Sequence, residues 1–131
     1  MTTFHVETVK RLYRLFGERD IPAILAMLSQ DVEWCEPPNP YNPCGGMHRG
    51  HEGFLAWART GREAEEILAL DVKRMLVDAD SVAVVGFTRI RANPTGRVYE
   101  TDFVHLVTFR DGKVSRFQEF FDTFAAGEAF R

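Results

Sequence analysis

Several things are scarce in this chain of 131 residues, and each scarcity removes a class of function. No apolar run approaches the roughly 20 residues that a membrane helix needs. The start, Met1-Thr2-Thr3-Phe4-His5, lacks the apolar core of a secretion signal. No membrane partner is implied, and the cytoplasm is the expected location. Basic residues are in deficit: 16 Lys and Arg stand against 19 Asp and Glu, for a net charge of −3. Nucleic acid is therefore not an expected partner either. Cysteine is down to Cys35 and Cys44, and without a secretion signal reduced thiols are expected rather than a disulfide. With His48 and His51 these two could make a four-ligand set, but neither pair has the C-x2-C or H-x3-H clip of structural zinc. No metal is expected. A glycine-rich phosphate loop and a nucleotide fingerprint are also missing, and Ser29, Ser81 and Ser115 lie in no nucleophile-elbow context. No cofactor is implied.

What remains is an ordinary globular composition, 45% hydrophobic and 27% charged, with a length that suits one domain over residues 1–131. Val9, Leu12, Tyr13 and Phe16 recur at helical spacing, and Gly17 ends or loosens that helix. Asp20 is placed to cap a second helix, with Pro22 in its first turn and Ile21, Ile24, Leu25 and Leu28 on its apolar stripe. Asp31-Val32-Glu33-Trp34 reads as a short strand that stops before Pro37-Pro38. The segment 37–50 is dense in proline and glycine and reads as a long loop, the usual form of a functional rim or lid. A third helix is expected from His51 to about Thr60, and a strand from Leu68 to about Val77.

The second half then reads as three long strands, Ser81–Arg91, Val98–Phe109 and Val114–Phe121. Asn93-Pro94-Thr95-Gly96 reverses the first pair and Arg110-Asp111-Gly112-Lys113 the second. Helices followed by antiparallel strands give an α+β class. The expected form is three N-terminal helices on a strongly curved, mostly antiparallel sheet that encloses a conical cavity. Arg89, His105 and Glu119 stand among Phe, Val and Leu on these strands, where a charge costs free energy unless it is paired or used.

Three stretches carry a family resemblance: Leu12-Tyr13…Phe16…Asp20-Ile21…Leu25…Leu28…Asp31-Val32-Glu33-Trp34, then Arg49-Gly50-His51-Glu52-Gly53-Phe54, then Thr108-Phe109-Arg110-Asp111-Gly112-Lys113-Val114…Phe117-Gln118-Glu119-Phe120-Phe121-Asp122-Thr123. Together they resemble SnoaL-like proteins of the nuclear transport factor 2-like superfamily over nearly the whole chain. That superfamily includes polyketide cyclases, ketosteroid isomerase, limonene epoxide hydrolase, dehydratases and proteins that only bind or assemble, so fold alone does not settle function. By resemblance to ketosteroid isomerase, Glu36 before Pro37 takes the place of the general base and His105 that of an oxyanion-hole acid. The oxyanion-hole tyrosine falls on Leu12, one position from Tyr13, which disfavours steroid isomerisation. By resemblance to limonene epoxide hydrolase, Arg89 and Glu119 keep an arginine–carboxylate pair, whereas Arg91 replaces an acid, which disfavours epoxide hydrolysis.

The same resemblance places Thr101, Phe103 and His105, and Phe117, Glu119 and Phe121, on cavity faces, consistent with strand alternation. Tyr13, Phe16, Trp34 and Trp57 are expected as further substrate-binding wall. The candidate catalytic set is His105, Glu119, Arg89 and Glu36, suited to cofactor-free proton transfer on a small, largely apolar carbonyl compound. The alternatives are a non-catalytic small-molecule carrier or accessory protein, and a purely structural dimer whose cavity is filled by Phe and Trp side chains. Plainer accounts stand beside each residue: His105 as a satisfied core histidine, Arg89 and Glu119 as a structural ion pair, Glu36 as a solvated rim residue. Glu63, Glu65 and Glu66 read as a solvent face, Asp122 as a strand end, and His48 and His51 as loop-mouth or helix-capping groups. Val104, Leu106 and Phe120 on the opposite face of the last strands imply a homodimer.

Overall fold

Alternation in the second half of the chain decides the architecture, because its two longest regular runs, residues 81–92 and 97–110, bury every second residue along most of their length. The computed structural model describes residues 2–131. In chain order these form α1 (Thr2–Glu18), α2 (Ile21–Met27), β1 (Leu28–Glu36), β2 (Gly46–Arg49), α3 (Gly50–Ala64), β3 (Glu65–Asp78), β4 (Ser81–Ala92), β5 (Arg97–Arg110), β6 (Lys113–Phe121) and α4 (Thr123–Phe130). The strands make one mixed sheet in the order β2-β1-β6-β5-β4-β3. β3 to β6 are antiparallel neighbours, and β1 joins β6 in parallel.

Local chemistry sets the element ends. The Asp20 carboxylate accepts the Ala23 N–H and caps α2, with a proline in the first turn. Asp111 and Gly112 both adopt positive φ, 53° and 76°, the backbone of the tight reversal between β5 and β6. The inner face of the sheet buries Val82 and Val84 of β4, Phe103, Val107 and Phe109 of β5, and Val114 and Phe117 of β6. Against these pack Val9, Leu12 and Leu15 of α1, Ile24 of α2 and Phe54 of α3.

Four expectations change. The described residues form four helices, which are not all N-terminal: β1 and β2 separate α3 from the first pair, and α4 follows the last strand. Asp122 is not merely a strand end, since its carboxylate accepts the Ala125 N–H and caps α4. Thr123–Phe130 has no polar stripe for periodicity to detect, being mostly small apolar residues. Segment 37–50 is not wholly loop, because Gly46–Arg49 pairs with β1. The strong curl is not observed, and neither is a conical cavity among the described residues. Phe16, Trp34, Phe54, Phe103 and Phe117 pack together in one core cluster. Open surface hollows of about 460 and 450 Å³ lie elsewhere, and neither is lined by His105, Glu119 or Glu36.

Candidate functional site

Parity and register bring the polar inner-face residues together. On β5 the inward positions are Tyr99, Thr101, Phe103, His105, Val107 and Phe109. Across the β5–β6 ladder His105 stands opposite Glu119, and His105 Nε2 lies 3.6 Å from Glu119 Oε1. That distance permits electrostatic contact but is too long for a hydrogen bond. Tyr13 arrives from α1, one residue past the buried Leu12, and its hydroxyl sits 2.5 Å from His105 Nδ1. Glu36 closes the row from the end of β1. It is buried rather than solvated at a rim, and its carboxylate accepts the Trp57 Nε1–H at 2.9 Å and the Asn42 side-chain N–H at 2.8 Å.

Burial governs the protonation states. It pushes the His105 imidazole down to about 3, so the ring is neutral at neutral pH. Burial likewise holds the Glu119 carboxyl well above its ordinary range, helped by the charges of Glu36 and Glu65 and by a hydrogen bond with Glu36. The Tyr13 phenol is pushed up by burial and then by Glu119, and keeps its proton. A consistent assignment follows from these states and the hydrogen-bond pattern. Tyr13 O–H donates to Nδ1, Nε2–H faces Glu119, and Glu119 lends its proton to Glu36. Two further donors, Trp57 Nε1–H and the Asn42 side-chain N–H, hold the Glu36 carboxyl group.

Aromatic rings surround this row. Phe103 stacks on His105 with centroids 4.2 Å apart, and Phe117 tilts against it at 4.9 Å. Phe117 also stacks flat on Trp34 at 4.0 Å, and Trp34 contacts Trp57, Phe54 and Phe16. The Phe103 ring can sit where it does because Gly86 faces it. A Cβ at Gly86 would lie only 2.5 Å from the ring and 2.4 Å from the Asp71 carbonyl. Tyr13, Phe16, Trp57 and Phe121 are half-buried and border this aromatic shell. Thr101 is inward and buried, but its hydroxyl is occupied, donating to the Asp102 carbonyl and accepting the Asp122 N–H.

Arg89 is not part of the group. Odd positions of β4 point to the outer face, where Arg89 stands opposite Glu100 and pairs with it at 3.7 Å, both side chains more than half exposed. The expected Arg89–Glu119 pair is therefore excluded by strand parity. His48 and His51 also stay apart from the row, each ring nitrogen meeting a backbone carbonyl, of Cys44 and Leu28 respectively. Cys35 and Cys44 are free thiols.

Sequence reasoning misses Glu65, Asn42 and Tyr99. Glu65 belongs to the acidic run expected to face solvent, yet as the first residue of β3 it stands opposite the inward Ala92. Burial, then the Glu36 charge, pushes its carboxyl up to about 8. Glu66, one step on, points outward to Arg91. No alternation marks Glu65 in the sequence, since Ile67, two residues on, is 57% exposed and the register shifts between Ile67 and Ala69. Asn42 is buried, holding Glu36 with its amide N–H and the Cys44 N–H with its carbonyl. Tyr99 is buried within electrostatic reach of Glu65, Glu36 and Glu119, and its phenol is pushed up mainly by burial. Neither has a sequence signal beyond strand alternation and the density of turn residues.

Comparison with known proteins fits this geometry. The SnoaL-like domain model matches residues 9–117. An uncharacterised protein of Mycobacterium tuberculosis is 26% identical over 126 residues, covering 95% of this chain and 94% of the relative. The crystal structure of a nuclear transport factor 2-like protein from Burkholderia xenovorans superposes with a TM-score of 0.91 at 32% identity, over 98% of this chain and 97% of that one. The structure of TerC co-crystallised with polyporic acid does so with a TM-score of 0.86 at 30% identity, over 97% and 98%. This chain belongs to the SnoaL-like family of the nuclear transport factor 2-like superfamily.

Proposed function

We propose that this protein is a cofactor-independent acid–base enzyme of the isomerase, cyclase or dehydratase type, acting on a small, largely apolar molecule that carries a carbonyl group. One observation carries the reading. A neutral imidazole, a carboxyl group held well above its ordinary range and a second carboxyl group held by two N–H donors stand in a row inside an aromatic shell. Groups poised in different protonation states, closed off from water, are what proton transfer at carbon requires. A ligand entering between Glu36 and Glu119 replaces their shared hydrogen bond. Glu36 removes a proton next to the carbonyl, the electrons of that C–H bond become the enol double bond, and Glu119 gives its proton to the oxygen. Return of the proton to another carbon completes an isomerisation, expulsion of a hydroxyl as water a dehydration, and attack on a second carbonyl a ring closure. Neutral His105, hydrogen-bonded to Tyr13, steadies Glu119 through both states.

The relative crystallised with polyporic acid supports occupancy of this fold by a small organic molecule. It equally supports a second reading, a carrier that binds without turnover. Exchange of the α-protons of 2-tetralone in D2O, followed by NMR, separates the two. The enzyme reading expects exchange faster than in buffer, and Glu36→Gln should slow it by about a hundred- to ten-thousandfold. Exchange no faster than buffer, with 2-tetralone bound, would overturn catalysis in favour of the carrier.

The outer face of the sheet supports a homodimer. Val104 and Leu106 of β5 lie there half-buried, and Phe120 of β6 is 47% exposed. Arg89, Glu100 and Asp102 border them, a charged rim round an apolar centre.

A further inference from the structure

Arg89 lies outside the row of Tyr13, His105, Glu119 and Glu36, the Trp57 Nε1–H is taken by Glu36, and the His105 Nε2–H faces Glu119. We infer that the indole Nε1–H of Trp34 is the donor that meets a ligand's oxygen: it positions the ligand's carbonyl oxygen on the inner face of β1, an inference that rests on the acid–base reading above. Trp34 is fully buried, and its Nε1 has no hydrogen-bond partner among the described residues. A buried donor without an acceptor is costly, and native proteins keep few of them without a use. His5, Ser29 and Arg116 also hold unpartnered buried atoms, but none belongs to the aromatic shell. His5 stacks on Phe109, and Arg116 reaches Glu33.

Position singles out Trp34. It shares the inward face of β1 with Glu36, two residues on. One face of its ring lies flat on Phe117, which also touches His105, and its other neighbour Trp57 already donates to Glu36. The two tryptophans thus divide the work: Trp57 holds the carboxylate, and Trp34 keeps an N–H in reserve. Stacking on Phe117 and the edge contact with Phe54 at 4.8 Å fix the indole plane, so the N–H is preorganised and does not need to turn to meet an oxygen. A rigid donor in a water-poor shell favours an acceptor oxygen that gains negative charge, as an enolising carbonyl does.

The chain has only two tryptophans, so a 15N-indole spectrum of the intact protein has two side-chain signals, with Trp34 identified by its contacts to the Phe117 ring. The probes are 2-acetylnaphthalene, which carries a carbonyl, and 2-ethylnaphthalene, which does not. The expected result is a downfield shift of the Trp34 indole proton with the ketone alone, and binding of the ketone roughly three- to tenfold tighter than of the hydrocarbon. If both probes bind but move the Trp34 signal equally, or not at all, the donor role is overturned while the pocket reading stands. If neither probe perturbs Tyr13, Trp57 or His105 signals, the pocket reading falls and takes the donor role with it.

Discussion

The two faces of β5 and β6 carry opposite exceptions to the usual rule of burial. On the inner face His105 and Glu119 are nearly sealed, with side chains 10% and 14% exposed. On the outer face Phe120 stands in solvent, and Arg89 and Glu100 pair across open water. Both exceptions cost free energy, and they point to different compensations. Polar groups kept in an apolar interior must be satisfied by one another or by a ligand. Apolar groups kept at a surface are satisfied by a second surface. On the reading proposed above, residues one step apart on the same strand would face different partners, a small molecule inside and another copy outside.

The comparison breaks first at Glu36. Glu36→Ala removes the acceptor of Trp57 Nε1–H and Asn42 N–H together, and should cost about 2–4 kcal/mol in denaturant unfolding. Glu36→Gln keeps an oxygen acceptor and should cost clearly less. A loss below about 1 kcal/mol for the alanine variant would mean the inner row does not hold the fold together.

Leu106→Asp tests the outer face. A charge placed beside Val104 should turn the proposed dimer into a monomer in light scattering while leaving the inner row intact. A wild-type protein already monomeric at micromolar concentration would remove the outer face from the argument.

Glu65 sharpens the comparison most finely. Its folded carboxyl sits at about 8 against an ordinary 4.5, so its proton is held more tightly in the folded state. The stability it supports is fully present below about 4.5 and lost as pH rises toward 8. Melting temperature should therefore fall across that window, and Glu65→Gln should flatten the fall. An unchanged slope in the variant would place the Glu65 carboxyl in water. His105 works in the opposite direction: with its ring pushed down to about 3, its contribution is lost as pH falls below its ordinary 6.5.

How far the sequence was legible depended on whether a signal was local. The Asp111-Gly112 reversal and the Asp20 cap are local properties that read directly from neighbouring residues, whereas the inward placement of His105 and Glu119 came from the family resemblance, with which strand alternation agrees. Arg89 shows the limit. Val82, Val84, Gly86, Thr88 and Ile90 alternate inward, so the parity that excludes Arg89 was visible, but an alignment with another family member outweighed it. Glu65 was lost because the end of α3 and the start of β3 share one acidic run, and composition cannot locate the residue at which the period changes from helix to strand. Asn42 and Trp57 meet on Glu36 through a loop and a helix, contacts that no spacing rule anticipates. Whether the inner face holds a cavity or is filled by Phe and Trp side chains stayed open in the sequence for a related reason: aromatic residues on inner faces look the same whether they line a space or occupy it.

The parallel pairing of β1 with β6 also bears on the order in which the molecule is made. Trp34 meets Phe117 across most of the length of the chain, so on the ribosome β1 waits for its second neighbour until the final strand has emerged. The β4–β5–β6 meander, by contrast, joins segments adjacent in sequence and can form as it is synthesised. Contacts between distant segments are the slow ones. Glu36, on β1, and Glu119, on β6, therefore cannot meet until β6 has been made, and a chain arrested before that point holds the β4–β5 hairpin without the Glu36–Glu119 row.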